Sequence, residues 1–183
     1  GSFDVTITLP ENYVVAATGE LINGESEIAW LENKAKETMA MSDFPKELDI
    51  PTSSETMKTL RYKQDSIHDF AWFADKRWHV LKGEVELPIS KRKVTTWSFF
   101  TNAEAEMWRK APEYISNGIR YMSNWVGEYP YSTCTVVDVT YASGSGMEYP
   151  MVATIGSYGD PFELDVTIVH EVIHNWFYGI IGS

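Results

Sequence analysis

The chain has 183 residues, enough for one medium domain or two small ones that bury real cores. Hydrophobic residues make up 44% and charged residues 22%, as in an ordinary globular protein, and no apolar run approaches the length needed to cross a membrane. A formal net charge of −11 argues against nucleic acid or an anionic membrane as the main partner. From Thr101 onward ten Asp and Glu stand against three Lys and Arg, which suits a cationic ligand, although solvated carboxylates explain it equally well. Cys134 is the single cysteine, so neither an internal disulfide nor a thiolate zinc cluster can form, and any metal must be held by His and carboxylate. Gly1-Ser2 reads as a cloning remnant and no signal peptide is visible, which leaves the compartment unread.

Taken in chain order, Phe3-Asp4-Val5-Thr6-Ile7-Thr8-Leu9-Pro10 alternates apolar and polar residues as a half-buried strand does. Residues 13–18 read as a second strand ended by Gly19. The polar stretch 24–57 follows, with Ile28, Leu31, Ala35 and Met39 at roughly helical spacing and a loop enforced by Pro45 and Pro51. Strand signals return at 58–65, 69–74 and 78–87, and again at 93–100. Several strands with no strong helix among them predict an antiparallel sheet or sandwich.

After Asn102 the period turns helical. Ile115, Ile119, Met122, Trp125 and Val126 share one face, Pro112 suits the first turn, and Gly127 the stop. A β-branched strand spans 132–140, the loop Ser143-Gly144-Ser145-Gly146 follows, and 151–155 predicts another short strand after Pro150. The last helix has the clearest start: Asp160 as cap, Pro161 in the first turn and Glu163 three residues after the cap. Val166, Val169, Ile173, Phe177 and Ile180 form its expected apolar stripe.

On that helix lies His170-Glu171-Val172-Ile173-His174, an HExxH pattern. Four residues advance a helix by about 400°, so both imidazoles project from nearly one side and can grip one ion. Glu171 is offset by about 100° and can take a proton from water held by that ion. Zinc suits imidazole and carboxylate ligands and lowers the pKa of bound water. Among four histidines, a chance HExxH should arise well under about once in a hundred such sequences, so the metal reading prevails over two unrelated histidines. His68 and His79 read as ordinary strand-edge histidines, Trp176 and Phe177 as core, and Cys134 as a buried, unreactive thiol.

With these motifs in place the sequence resembles the M1 (gluzincin) aminopeptidases. Gly146-Met147-Glu148-Tyr149-Pro150 resembles that family's GxMEN segment, and Asn175-Trp176-Phe177-Tyr178-Gly179 continues the helix as the family commonly does. Val14-Val15-Ala16-Ala17-Thr18-Gly19-Glu20 and His68-Asp69-Phe70-Ala71-Trp72 resemble the end of its N-terminal β domain. The resemblance implies His170 and His174 as zinc ligands, Glu171 as general base, and Glu148 as the holder of the substrate's α-ammonium. It also implies that Gly146 and Met147 run along an edge strand that pairs with the substrate backbone; independently, glycine suits a close backbone approach. Tyr149 and Pro150 depart from the usual asparagine after the glutamate. The family's third zinc ligand is a Glu eighteen residues after the second His, and nine residues follow His174 here, so zinc is expected to be weak or absent in this chain.

The expectation is an α+β fold: residues 1–87 as the C-terminal part of an antiparallel β-sandwich or sheet domain, and 88–183 as the first part of a thermolysin-like catalytic domain. The resemblance implies a zinc aminopeptidase acting on peptides with a free N-terminus, of which this chain is an inactive fragment. Two alternatives stand beside it: a gluzincin hydrolase with another substrate, such as an epoxide or an internal peptide bond, and a catalytically dead peptide- or protein-binding module.

Overall fold

A computed structural model describes residues 1–47, 49–139, 145–156 and 159–180, with the backbone alone for 178–180. Strands β1 (Phe3–Pro10), β4 (Met57–Gln64) and β3 (Glu20–Ile22) form a three-stranded antiparallel sheet, in the order β1-β4-β3. Its alternation is the one the sequence predicts: Ile7 and Leu9 of β1 and Leu60 and Tyr62 of β4 turn inward, while Thr6, Thr8, Thr59 and Arg61 stay at the surface. Strand β2 (Val14–Ala17) pairs with β5 (Trp72–Asp75) and is buried on both faces. Its Val15 and Ala17 pack with the three-stranded sheet, and its Val14 and Ala16 pack with the larger one.

The larger sheet has five strands in the order β6 (His79–Glu86), β7 (Lys93–Phe100), β8 (Thr133–Asp138), β10 (Val152–Ile155) and β9 (Gly146–Tyr149). It is mixed: β7-β8-β10 run parallel, and β6 and β9 pair antiparallel at the two edges. The strand expected at 78–87 therefore belongs here rather than with the N-terminal strands. The division expected after Leu87 passes through the β6–β7 hairpin, whose register runs unbroken from His79↔Phe100 to Glu86↔Lys93. Short connections favour hairpins between strands that are adjacent in sequence.

The period-2 alternation of β7 separates the two faces of this sheet. Val94 and Phe100 meet α2 (Ala105–Trp108), α3 (Ala111–Trp125) and α4 (Pro161–His174), whereas Trp97 and Phe99 meet β2 and α1 (Glu25–Ala40). Helix α1 forms inside the polar 24–57 stretch as expected, burying Leu31 and Ala35 but leaving Ile28 and Met39 exposed. Its Glu27 is buried instead, 2.6 Å from Lys58 of β4. Helix α3 buries Ile115, Ile119 and Met122; Trp125, expected on that face, is 77% exposed and lies beside the Tyr121 ring.

The buried face of α4 also differs from the expected stripe. Leu164, Ile168, Glu171 and Val172 face inward and Val166 is exposed. Apolar residues lie almost all round this helix, so spacing alone does not choose a face; the sheet does. Past His174 the chain widens into a π-helix over Asn175–Ile180, which buries Trp176 and leaves Phe177 48% exposed, against the expectation that both are core. The side chain of Ile180, together with Ser143 and Gly144 of the expected loop, lies outside the described residues. Cys134 sits inside β8, fully buried, with its thiol pushed up to about 12 by burial, as expected of an unreactive thiol.

Candidate metal centre

Helix α4 is placed by its own start. Asp160 Oδ1 accepts the Phe162 N–H at 2.6 Å and Pro161 opens the first turn, so the helix direction is set ten residues before His170. Leu164, Ile168 and Val172 then seat it on β10, whose Ala153 and Ile155 face it. This rotation carries His170 and His174 to the open side and Glu171 inward. The two Nε2 atoms stand 3.1 Å apart, with the rings nearly perpendicular at 82°.

Two neutral imidazoles at that distance need one shared proton or a common cation between their lone pairs. Ligands about 2.0–2.1 Å from a tetrahedral zinc stand about 3.4 Å from each other, close to the spacing found. His170, Glu171 and His174 each offer a ligand atom, all within 4.8 Å of one another. No other such group of three His, Cys, Asp or Glu occurs among the described residues, His68 and His79 included. His79 instead pairs through Nε2 with Asn102 Oδ1 at 2.6 Å. The donor set, the facing imidazoles and a buried Glu171 Oε2 with no hydrogen-bond partner all fit a zinc ion.

Glu171 is 5% exposed, and its seat is made by β9. A methyl group on Gly146 would stand 2.2 Å from Glu171 Oε1 and 2.6 Å from its Cδ, so only a residue without a side chain lets the carboxyl lie there. Two residues on, Glu148 projects from the same face of β9 and reaches the Glu171 carboxyl. Burial first, and then the neighbouring Glu148 charge and hydrogen bond, push the Glu171 pKa up from 4.5 to about 7. Met147 and Tyr149 project to the opposite face; Met147 is half exposed, and the Tyr149 ring lies 5.7 Å from Phe73 of β5.

The expected site residues therefore come together on two elements. Strand β9 forms an edge of the sheet, hydrogen-bonded to β10 on one side. What spacing did not reveal is how the elements are tied. Met151, in the turn between β9 and β10, has a left-handed backbone (φ 68°), and its N–H donates to the Asn175 side chain at 3.0 Å. Asn175 offered one signal: a polar residue four positions after Glu171 returns to the buried side of the helix.

This arrangement of a mixed five-stranded sheet backed by helices has likenesses among solved structures. The chain is similar to the crystal structure of an M1 zinc metallopeptidase from Deinococcus radiodurans, with TM-score 0.62, 17% identity, 97% of this chain and 34% of that one covered. It is similar to a two-domain M1 zinc metallopeptidase mutant bound to L-arginine, with TM-score 0.62, 17% identity and coverage of 96% and 34%. A corresponding mutant bound to L-tryptophan gives TM-score 0.57, 16% identity and coverage of 97% and 34%. No family model and no curated protein matches the chain. It has an M1-like fold and spans about a third of the solved chains it matches.

Proposed function

We propose that this chain carries the first part of the active site of a zinc aminopeptidase, which removes N-terminal residues from peptides. The observation that carries the reading is the facing pair of His170 and His174, with Glu171 held beside Glu148 over Gly146. That two similar structures are complexes with free amino acids supports a site that receives an α-ammonium group.

His170 and His174 would hold the ion through Nε2. Zinc, when bound, polarises the scissile carbonyl and makes water more acidic. Glu171 takes the proton of the attacking water and passes it to the leaving amine, from a position beside the two imidazoles that would hold the ion. Glu148 pairs with the substrate's α-ammonium, which fixes the scissile bond one residue from the N-terminus. Strand β9 offers the edge away from β10 to the substrate backbone, and the glycine that seats Glu171 also allows close approach there.

The reading is tested by stripping the natural protein that contains this chain with a chelator and then restoring zinc. Hydrolysis of an aminoacyl-anilide should vanish and return, and Glu171→Gln should bind zinc but remain inactive. Activity that survives both the chelator and Glu171→Gln would refute it.

A further inference from the structure

The turn between β9 and β10 consists of Pro150 and Met151, flanked by the pair Tyr149↔Val152. A leading proline followed by a left-handed residue is a turn that ordinarily recruits glycine at its second position. Here the second position is Met151, at φ 68° and 1% exposed. Its backbone leaves one buried N–H aimed away from the sheet, and three other elements hold the turn in place.

Asn175 Oδ1 accepts the Met151 N–H at 3.0 Å, and Asn175 Nδ2 donates to Val172 O at 3.0 Å. Thr135 N–H of β8 donates to Met151 O at 2.8 Å. From the N-terminal part, Gly19 N–H donates to the Met151 sulfur at 3.3 Å and Thr18 Oγ1 donates to Pro150 O at 2.9 Å. Of these, Asn175 alone continues the helix that carries the histidines, as the first residue of the π-helical stretch directly after His174. A buried amide with one partner on the helix and one on the turn fixes the distance between them, because each bond loses strength steeply when stretched or tilted.

We propose that Asn175 is a positioning residue which, by clamping Met151, sets where the Glu148 carboxylate stands relative to His170 and His174. The inference rests on the aminopeptidase reading for what Glu148 binds, while the clamp itself rests on the hydrogen bonds. Glu148 lies three residues before Met151 on a strand that, among the described residues, pairs with β10 alone, so a turn that relaxes lets the strand end shift while the helix keeps its histidines.

The test compares wild type, Asn175→Ala, Met151→Gly and the double variant in the natural protein. Asn175→Ala is expected to raise KM for a free-amine aminoacyl-anilide about tenfold, with zinc affinity and kcat changed by less than about threefold. In the Met151→Gly background, where the left-handed turn is intrinsically favourable, the same substitution should raise KM less. A side chain that merely stabilised the fold would lower Tm and leave KM unchanged well below it. Amide exchange supplies the second readout: the Met151 N–H should exchange at least about tenfold faster in Asn175→Ala. That readout holds if wild type cleaves no free-amine substrate, a result that would sink the proposed function and not the clamp. Unchanged Met151 exchange, or an unchanged KM in an active, folded Asn175→Ala variant, would overturn the inference.

Discussion

Glu171 occupies a position that most carboxylates avoid, buried with one oxygen unpaired and a second carboxyl alongside. Its cost depends on pH. With the folded pKa raised from 4.5 to about 7, the folded state favours the protonated form. No penalty exists below about 4.5; it grows as pH rises through the window to about 7 and is constant above it. In metal-stripped protein, Glu171→Gln should therefore stabilise the fold by about 3 kcal/mol at pH 8 and by nothing at pH 4, read by denaturant unfolding. A variant less stable than wild type at pH 8 would contradict that. Gly146 answers to the same carboxyl. Gly146→Ala puts a methyl group where Glu171 Oε1 and Cδ lie, so kcat/KM should fall about a hundredfold with zinc retained. Wild-type kinetics in that variant would show that the seat is not needed. The roles expected of His170, His174 and Glu171 came from i,i+4 spacing, which carries its own geometry, whereas those of Glu148 and Gly146 came from the family resemblance. Met151 was not legible, since a left-handed methionine leaves no local pattern, and the spacing of Asn175 from Glu171 signalled burial without naming its long-range partner.

At the scale of elements, local chemistry was the better guide where one residue type dominates. The Asp160 cap and Pro161 set the start of α4 as the sequence predicts, and Asp160→Ala should cost about 1 kcal/mol, measured as a lowered denaturant midpoint. Face selection was less legible. On α4 nearly every turn offers an apolar residue on either side, so the stripe through Val166 and Val169 competed with the one through Leu164, Ile168 and Val172, and contact with β10 decided. The π-helical widening after His174 shifted the phase again for Trp176 and Phe177. Helix α1 shows the same limit, because Ile28, expected on the inner stripe, is exposed while Glu27 is buried. Lys58 pairs with it at 2.6 Å and lies 4.1 Å from the Trp30 ring centre, while burial raises the Glu27 pKa and lowers that of Lys58. Lys58→Met alone should destabilise by about 3 kcal/mol through the stranded carboxylate, and adding Glu27→Leu should recover most of the loss. Equal stability of single and double variants would mean that the pair is not energetically coupled.

Across the whole molecule, the α+β class was legible from composition and period, but sheet membership was not. Strand propensity marks 79–86 without saying which sheet receives it; pairing with β7 does. Trp78, directly before β6, already donates its indole N–H to Asp138 O of the larger sheet at 3.1 Å. Thr18, Gly19 and Phe73 reach across to Pro150, Met151 and Tyr149, so the N-terminal part braces the turn that ends the strand carrying Glu148. No helix among the described residues is long and apolar enough to cross a membrane. Among the described residues His170, His174 and Glu171 are the group that could hold the ion, and zinc held by these alone should be lost on dialysis; stoichiometric, tightly held zinc would show that they suffice.

The most direct test of the central claim is the ratio of kcat/KM for a free-amine aminoacyl-anilide to that for its N-acetylated analogue, in wild type and Glu148→Ala of the natural protein. The account predicts a ratio above about a thousand in wild type, falling at least about a hundredfold in Glu148→Ala, because the carboxylate on β9 reads the ammonium group. A ratio near one in wild type, or one that Glu148→Ala leaves intact, would contradict it.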